Sequence, residues 1–157
     1  MENGWNLVNL YTRKMTALFD QSSRTIGNLI QSCGDSERSF RDAAHALTDS
    51  NLKQLFGLYA QQRERFAIEL RGLTILEVRA AALQESSSLT QRELLSDCLR
   101  REIFLIDLYR QAIAGRTLPT RAHFLVSAQL ALLEKVHSRI QTLTPSLHML
   151  QGDRIAL

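Results

Sequence analysis

The sequence predicts an all-α four-helix bundle, and three observations carry that expectation. Apolar residues recur at alternating steps of three and four along four long segments, the spacing that lines one face of a helix. Helix breakers are scarce, with 7 Gly and 2 Pro in 157 residues. No segment alternates apolar and polar residues as a half-buried strand would. A chain of this length suits one domain with a single substantial core.

The elements follow in order. Residues 1–22 form an extra N-terminal amphipathic helix, with Trp5, Val8, Tyr11, Met15 and Phe19 at helical spacing. The bundle itself occupies residues 23–145. Its first helix runs from Ser23 to Leu47 and stops at Thr48-Asp49-Ser50, where Asp49 or Ser50 can cap the next. The second starts near Asn51 and continues at least to Leu73. Ser86-Ser87-Ser88 interrupts the pattern, and Ser88 with Gln91 has capping-box spacing for the third. That helix ends at Ala114, before Gly115, and Pro119 opens the fourth. Thr144-Pro145 closes the bundle and leaves residues 146–157 as a tail.

Composition excludes several classes. The chain is 45% hydrophobic and 22% charged, too apolar for a disordered protein. It contains no uncharged apolar run near the roughly 18 residues of a membrane span, and no secretory signal is visible at the N-terminus. Cys33 and Cys98 then read as reduced thiols of a cytoplasmic protein. The net charge of +3 is spread over basic residues that alternate with acids, as in Arg63-Glu64-Arg65. A mixed, solvated surface accounts for it better than a nucleic-acid stripe. No phosphate loop or nucleophile elbow occurs.

Each heptad seam is broken once by a polar residue. The four series are Ile26, Ile30, Cys33, Glu37, Phe40, Ala44, Leu47; Leu52, Phe56, Tyr59, Arg63, Phe66, Leu70, Leu73; Leu95, Cys98, Glu102, Leu105, Tyr109, Ala112; and Val126, Leu130, Leu133, His137, Ile140. Glu134 lies one turn from His137. Glu37 and Arg63 stand about 12 and 14 residues from the Asp49 turn; Glu102 stands about 14, and Glu134 and His137 about 18 to 21, from the Arg116 turn. These five residues therefore form a candidate polar layer within the core. Charges at that depth must pair, bind a cation or face water.

At these residues the chain resembles a bacterial family of ferritin-like bundles, domain of unknown function 2383. The matching stretches are Gly34-Asp35-Ser36-Glu37-Arg38-Ser39-Phe40-Arg41-Asp42-Ala43-Ala44 and Gln62-Arg63-Glu64-Arg65-Phe66-Ala67-Ile68-Glu69-Leu70. Cys98-Leu99-Arg100-Arg101-Glu102, Tyr109-Arg110 and Val136-His137-Ser138-Arg139-Ile140 complete them, over about residues 24–143. The resemblance implies a ferritin-like antiparallel bundle and no assigned activity.

Ferritin-like di-iron bundles draw a Glu from two helices and a Glu-x-x-His from each of the other two. On that pattern Glu37 and Glu102 match the single carboxylates, and Glu134-Lys135-Val136-His137 is an intact Glu-x-x-His. Arg63 and Phe66 occupy the places of the second such motif. A guanidinium has no lone pair to give, which argues against a two-metal centre. Arg63 can instead donate to Glu37, Glu102 or Glu134 in a buried ion-pair network. The sharper alternative is one iron or other divalent metal on Glu37, Glu102, Glu134 and His137. Simple solvation of Glu134 or His137 is the third reading.

Bundles of this type join their second and third helices by a long crossover. Here residues 71–83 are mostly helix-forming, and a helical crossing gains only about 1.5 Å per residue. The expected outcomes are an up-down-up-down bundle, or a helix running into a partner so that a homodimer exchanges halves. The functional expectation is a non-enzymatic structural or protein-interaction module, with a reduced, rubrerythrin-like metal or redox site as the alternative.

Overall fold

The computed structural model describes residues 3–74 and 89–152, with side chains over residues 8–74 and 89–143. Four helices account for nearly all of them: α1 Asn3–Ala46, α2 Ser50–Arg71, α3 Gln91–Ala114 and α4 Thr120–Gly152. No strand occurs among the described residues. The predicted all-α four-helix bundle is what the chain forms.

Local chemistry sets the ends. The Asp49 side chain accepts from the Leu52 amide at 2.9 Å and starts α2. A full capping box starts α3, but it pairs Thr90 with Glu93 rather than Ser88 with Gln91. Thr90 Oγ1 accepts the Glu93 amide, and the Glu93 carboxylate accepts the Thr90 amide at 2.7 Å. Gly72 and Gly115 end α2 and α3, where an added Cβ would meet a carbonyl oxygen of the preceding turn at 3.3 Å in each case. Arg116 follows in the left-handed region at φ 51°, a conformation that favours glycine.

Three boundary expectations change. The first two expected helices are one: α1 runs unbroken for 44 residues, because nothing in Asp20-Gln21-Ser22-Ser23 disfavours helix strongly enough to stop it. Residues 3–22 are therefore no separate helix. α2 stops at Arg71, two residues short of Leu73, and the rest of the helix-forming stretch, 75–83, lies outside the described residues. α4 passes Pro145 and extends to Gly152.

Side-chain pairings give the directions. Cys33 meets Tyr109, Ser36 meets Glu102 and Ser39 meets Cys98, so α1 and α3 are antiparallel. Phe40 stacks edge-on against Phe56 and Tyr59, each 5.6 Å between ring centroids, across the α1–α2 hairpin. Since α1 opposes both, α2 and α3 run parallel. The up-down-up-down alternative is thus not the fold. Thr74 and Leu89 sit at opposite ends of the bundle.

Two apolar clusters fill the interior. One, around Ile26, Leu29, Leu70, Tyr109 and Val126, packs the end near Thr74. The other, around Phe40, Leu47, Phe56, Cys98 and Ile140, packs the end near Asp49. The polar centre lies between them.

Candidate functional site: a buried arginine–glutamate centre

Arg63 on α2 and Glu102 on α3 have no side-chain exposure. They reach each other across the bundle diagonal, as parallel helices at equal depth allow. Arg63 Nη2 donates to Glu102 Oε1, and Nε donates to Oε2 at 3.2 Å. This is a two-pronged pairing of planar groups, the strongest geometry a guanidinium and a carboxylate can adopt. Arg63 Nη1 donates to Gln62 Oε1 at 2.6 Å. Ser36 Oγ donates to Glu102 Oε2 at 3.2 Å, so α1 joins the same centre.

The guanidinium is also stacked. Its carbon lies 5.5 Å from the Phe40 ring centroid and 5.6 Å from that of Phe66. Those rings belong to the two different apolar clusters, so Arg63 bridges them with a cation–π contact on each side. Lysine could supply the charge but neither the fork nor the plane.

A second polar thread runs beside this centre. Tyr109 Oη donates to Gln129 Oε1 at 2.7 Å, and Gln129 Nε2 donates to Glu69 Oε2 at 2.8 Å. Cys33 Sγ touches Tyr109 Oη at 3.4 Å. A third contact set ties α1 to α3 through Ser39, whose Oγ lies 3.2 Å from both Asp97 Oδ2 and Cys98 Sγ. Burial pushes the Cys33 thiol up to about 11 and the Cys98 thiol to about 12. It also raises the Tyr109 hydroxyl far above its ordinary value. Thiols held this far from ionisation are poor nucleophiles and poor metal ligands.

The five expected polar residues are only partly brought together. Arg63 and Glu102 meet as the ion-pair reading required. Glu37, with a side chain 14% exposed, turns along its own helix to Arg41. Its Oε1 touches that guanidinium without hydrogen-bond alignment. Burial raises the Glu37 carboxyl, and Arg41 offsets this only in part. Glu134 is 45% exposed and accepts from Arg110 Nη2 at 2.7 Å. His137 is half-buried, and its Nδ1 has no protein partner.

The structure does not bring Glu37, Glu102, Glu134 and His137 together. Two of the four are engaged elsewhere, and both oxygens of Glu102 already accept from Arg63. No group of three or more His, Cys, Asp or Glu is placed to hold a metal ion among the described residues.

The reason lies in the seams. Buried positions on α1 include Ser22, Ile26, Leu29, Ile30, Cys33, Ser36, Phe40, Ala43, Ala44 and Leu47. Ser36, not Glu37, is the inward residue at mid-height. On α4 they follow Ala122, Val126, Gln129, Leu133, Val136, Ile140, which places Gln129 inside and leaves His137 on the flank. On α1 the expected series departs from the buried one only at Glu37, since Ile30 and Ala44 are themselves buried, whereas on α4 the partly exposed Leu130 favoured the wrong face. The signal missed was the run of small or uncharged polar residues, Ser36 and Gln129, in phase with the neighbouring apolar positions.

A shallow groove of about 290 Å³ lies elsewhere, between Leu52, Leu55 and Leu58 of α2 and Arg139 and Leu143 of α4. No helix among the described residues is long and apolar enough to cross a membrane.

No protein-family model and no curated protein matches this chain.

Proposed function

We propose that this protein is a non-enzymatic helical-bundle module of ferritin-like type that works by binding another protein chain. One observation carries the reading. The place where such bundles gather metal ligands is filled by a fully buried Arg63–Glu102 pair whose oxygens and fork are already engaged with each other. A carboxylate so occupied has no lone pair directed at a substrate or cation, and a guanidinium beside it repels a second positive charge. The parallel course of α2 and α3 supports the ferritin-like type.

The test is elemental analysis of protein purified without chelator, beside Glu134→Gln and His137→Gln variants, which spare the buried pair. Sub-stoichiometric iron, manganese and zinc in all three supports the reading. Stoichiometric metal that is lost in either variant overturns it in favour of a mononuclear metal protein.

A further inference from the structure

We propose that the N-terminal part of α1, residues 8–19, is the docking surface for a second copy of this chain, the two segments packing antiparallel about a two-fold axis. The inference rests on the protein-binding reading above and names its partner. Where α1 lies in the bundle, its inward face is buried from Ser22 onward. Before that point every residue from Val8 to Gln21 is exposed. The stretch nevertheless carries Val8, Tyr11, Met15, Leu18 and Phe19 at 66%, 74%, 60%, 49% and 57% exposure. At 100° per residue these fall on the same face as Ile26, Leu29 and Cys33, so the bundle's own seam continues past the bundle.

Three features favour a second copy as the cover. The steps Val8, Tyr11, Met15, Leu18 read three–four–three in either direction, so an antiparallel copy matches layer by layer. Val8 then faces the partner's Leu18, and Tyr11 faces the partner's Met15. A two-fold interface demands this self-complementarity. Charge also permits it: Arg13 and Asp20 point to the opposite side of the helix, and Lys14, at the flank, falls opposite the partner's Thr12. Finally, the stretch continues α1 beyond the bundle with its apolar face uncovered, a surface that a second copy removes from water.

The experiment is sedimentation equilibrium of the full chain, beside Tyr11→Glu/Met15→Glu and the outward control Arg13→Glu. The wild type and the control are expected to be dimers. The double variant should weaken association by more than about 100-fold while keeping the cooperative unfolding of the bundle. A wild-type monomer, including one that instead binds anionic vesicles or a different protein, overturns the proposal. So does a dimer that survives the double substitution. Those results leave the metal measurements untouched, and stoichiometric metal in a dimer dissociated by Tyr11→Glu/Met15→Glu would refute the functional reading while upholding this surface.

Discussion

The Arg63 guanidinium lies fully buried against Glu102, held by two donations to the carboxylate and flanked by the rings of Phe40 and Phe66. Taking both charges out of water costs several kcal/mol per ion, and fork pairing, the Ser36 hydroxyl and two aromatic faces offset that cost. The pair joins α2 to α3 across the diagonal at a single height. A slip of one residue on either helix would turn one charge away and leave the other unpaired in an apolar core.

The two thiols should be silent in the folded protein. Cys33 and Cys98 are buried, with burial raising them to about 11 and about 12. With a thiol reagent such as dithiobis-nitrobenzoate at pH 8, neither is expected to react while the bundle is folded, and both should react promptly in denaturant. Rapid labelling of either under native conditions would show that the centre opens to solvent.

The acid limb of stability should carry the signature of Asp97. Its burial acts to raise the carboxyl, but Arg101, Arg100 and Ser39 outweigh it and leave it below the ordinary 3.8. A carboxyl lowered in the folded state adds stability above its unfolded value, and that stability is lost as pH falls through the folded one. Asp97→Asn should therefore cost about 1 kcal/mol at pH 7 and progressively less below about pH 4, read by thermal melts across pH.

Glu37 has the opposite sign. Its carboxyl is raised above the ordinary 4.5, so ionisation penalises the folded state above the folded value, and the penalty fades as pH falls toward 4.5. Glu37→Gln should stabilise the fold slightly at pH 7, by roughly a few tenths of a kcal/mol read from thermal melts, with the gain gone at pH 4. A loss of stability at pH 7 would mean that the contact with Arg41 outweighs burial.

Arg116 offers a local test of backbone strain. With φ at 51° just past the end of α3, it occupies a conformation costing a side-chain-bearing residue about 1 kcal/mol relative to glycine. Arg116→Gly should raise the melting temperature by about 2–4 °C for a domain of this size.

Much of the fold was legible because packing and periodicity are the same fact seen twice. The seams of α2 and α3 were read correctly, and with them Arg63 and Glu102, which are both fully buried. On α1 and α4 single positions were read one residue late, Glu37 for Ser36 on α1 and Leu130 and His137 for Gln129 and Val136 on α4. There two neighbouring faces are both apolar, and only the partner helix decides which is inside. Ser36 and Gln129 were invisible as site residues because short or uncharged polar groups do not interrupt a hydrophobic pattern. The continuity of α1 was missed for a related reason, as Asp20-Gln21-Ser22-Ser23 has the composition of a turn but no residue that forbids helix.

The most direct test of the buried pair is a double-mutant cycle on Arg63→Met and Glu102→Leu, measured by urea unfolding. Each single change strands one buried charge and should cost about 3–5 kcal/mol, while the double change removes both charges and should recover most of that loss. Two small losses that simply add would contradict the account, because they would mean that Arg63 and Glu102 do not depend on each other.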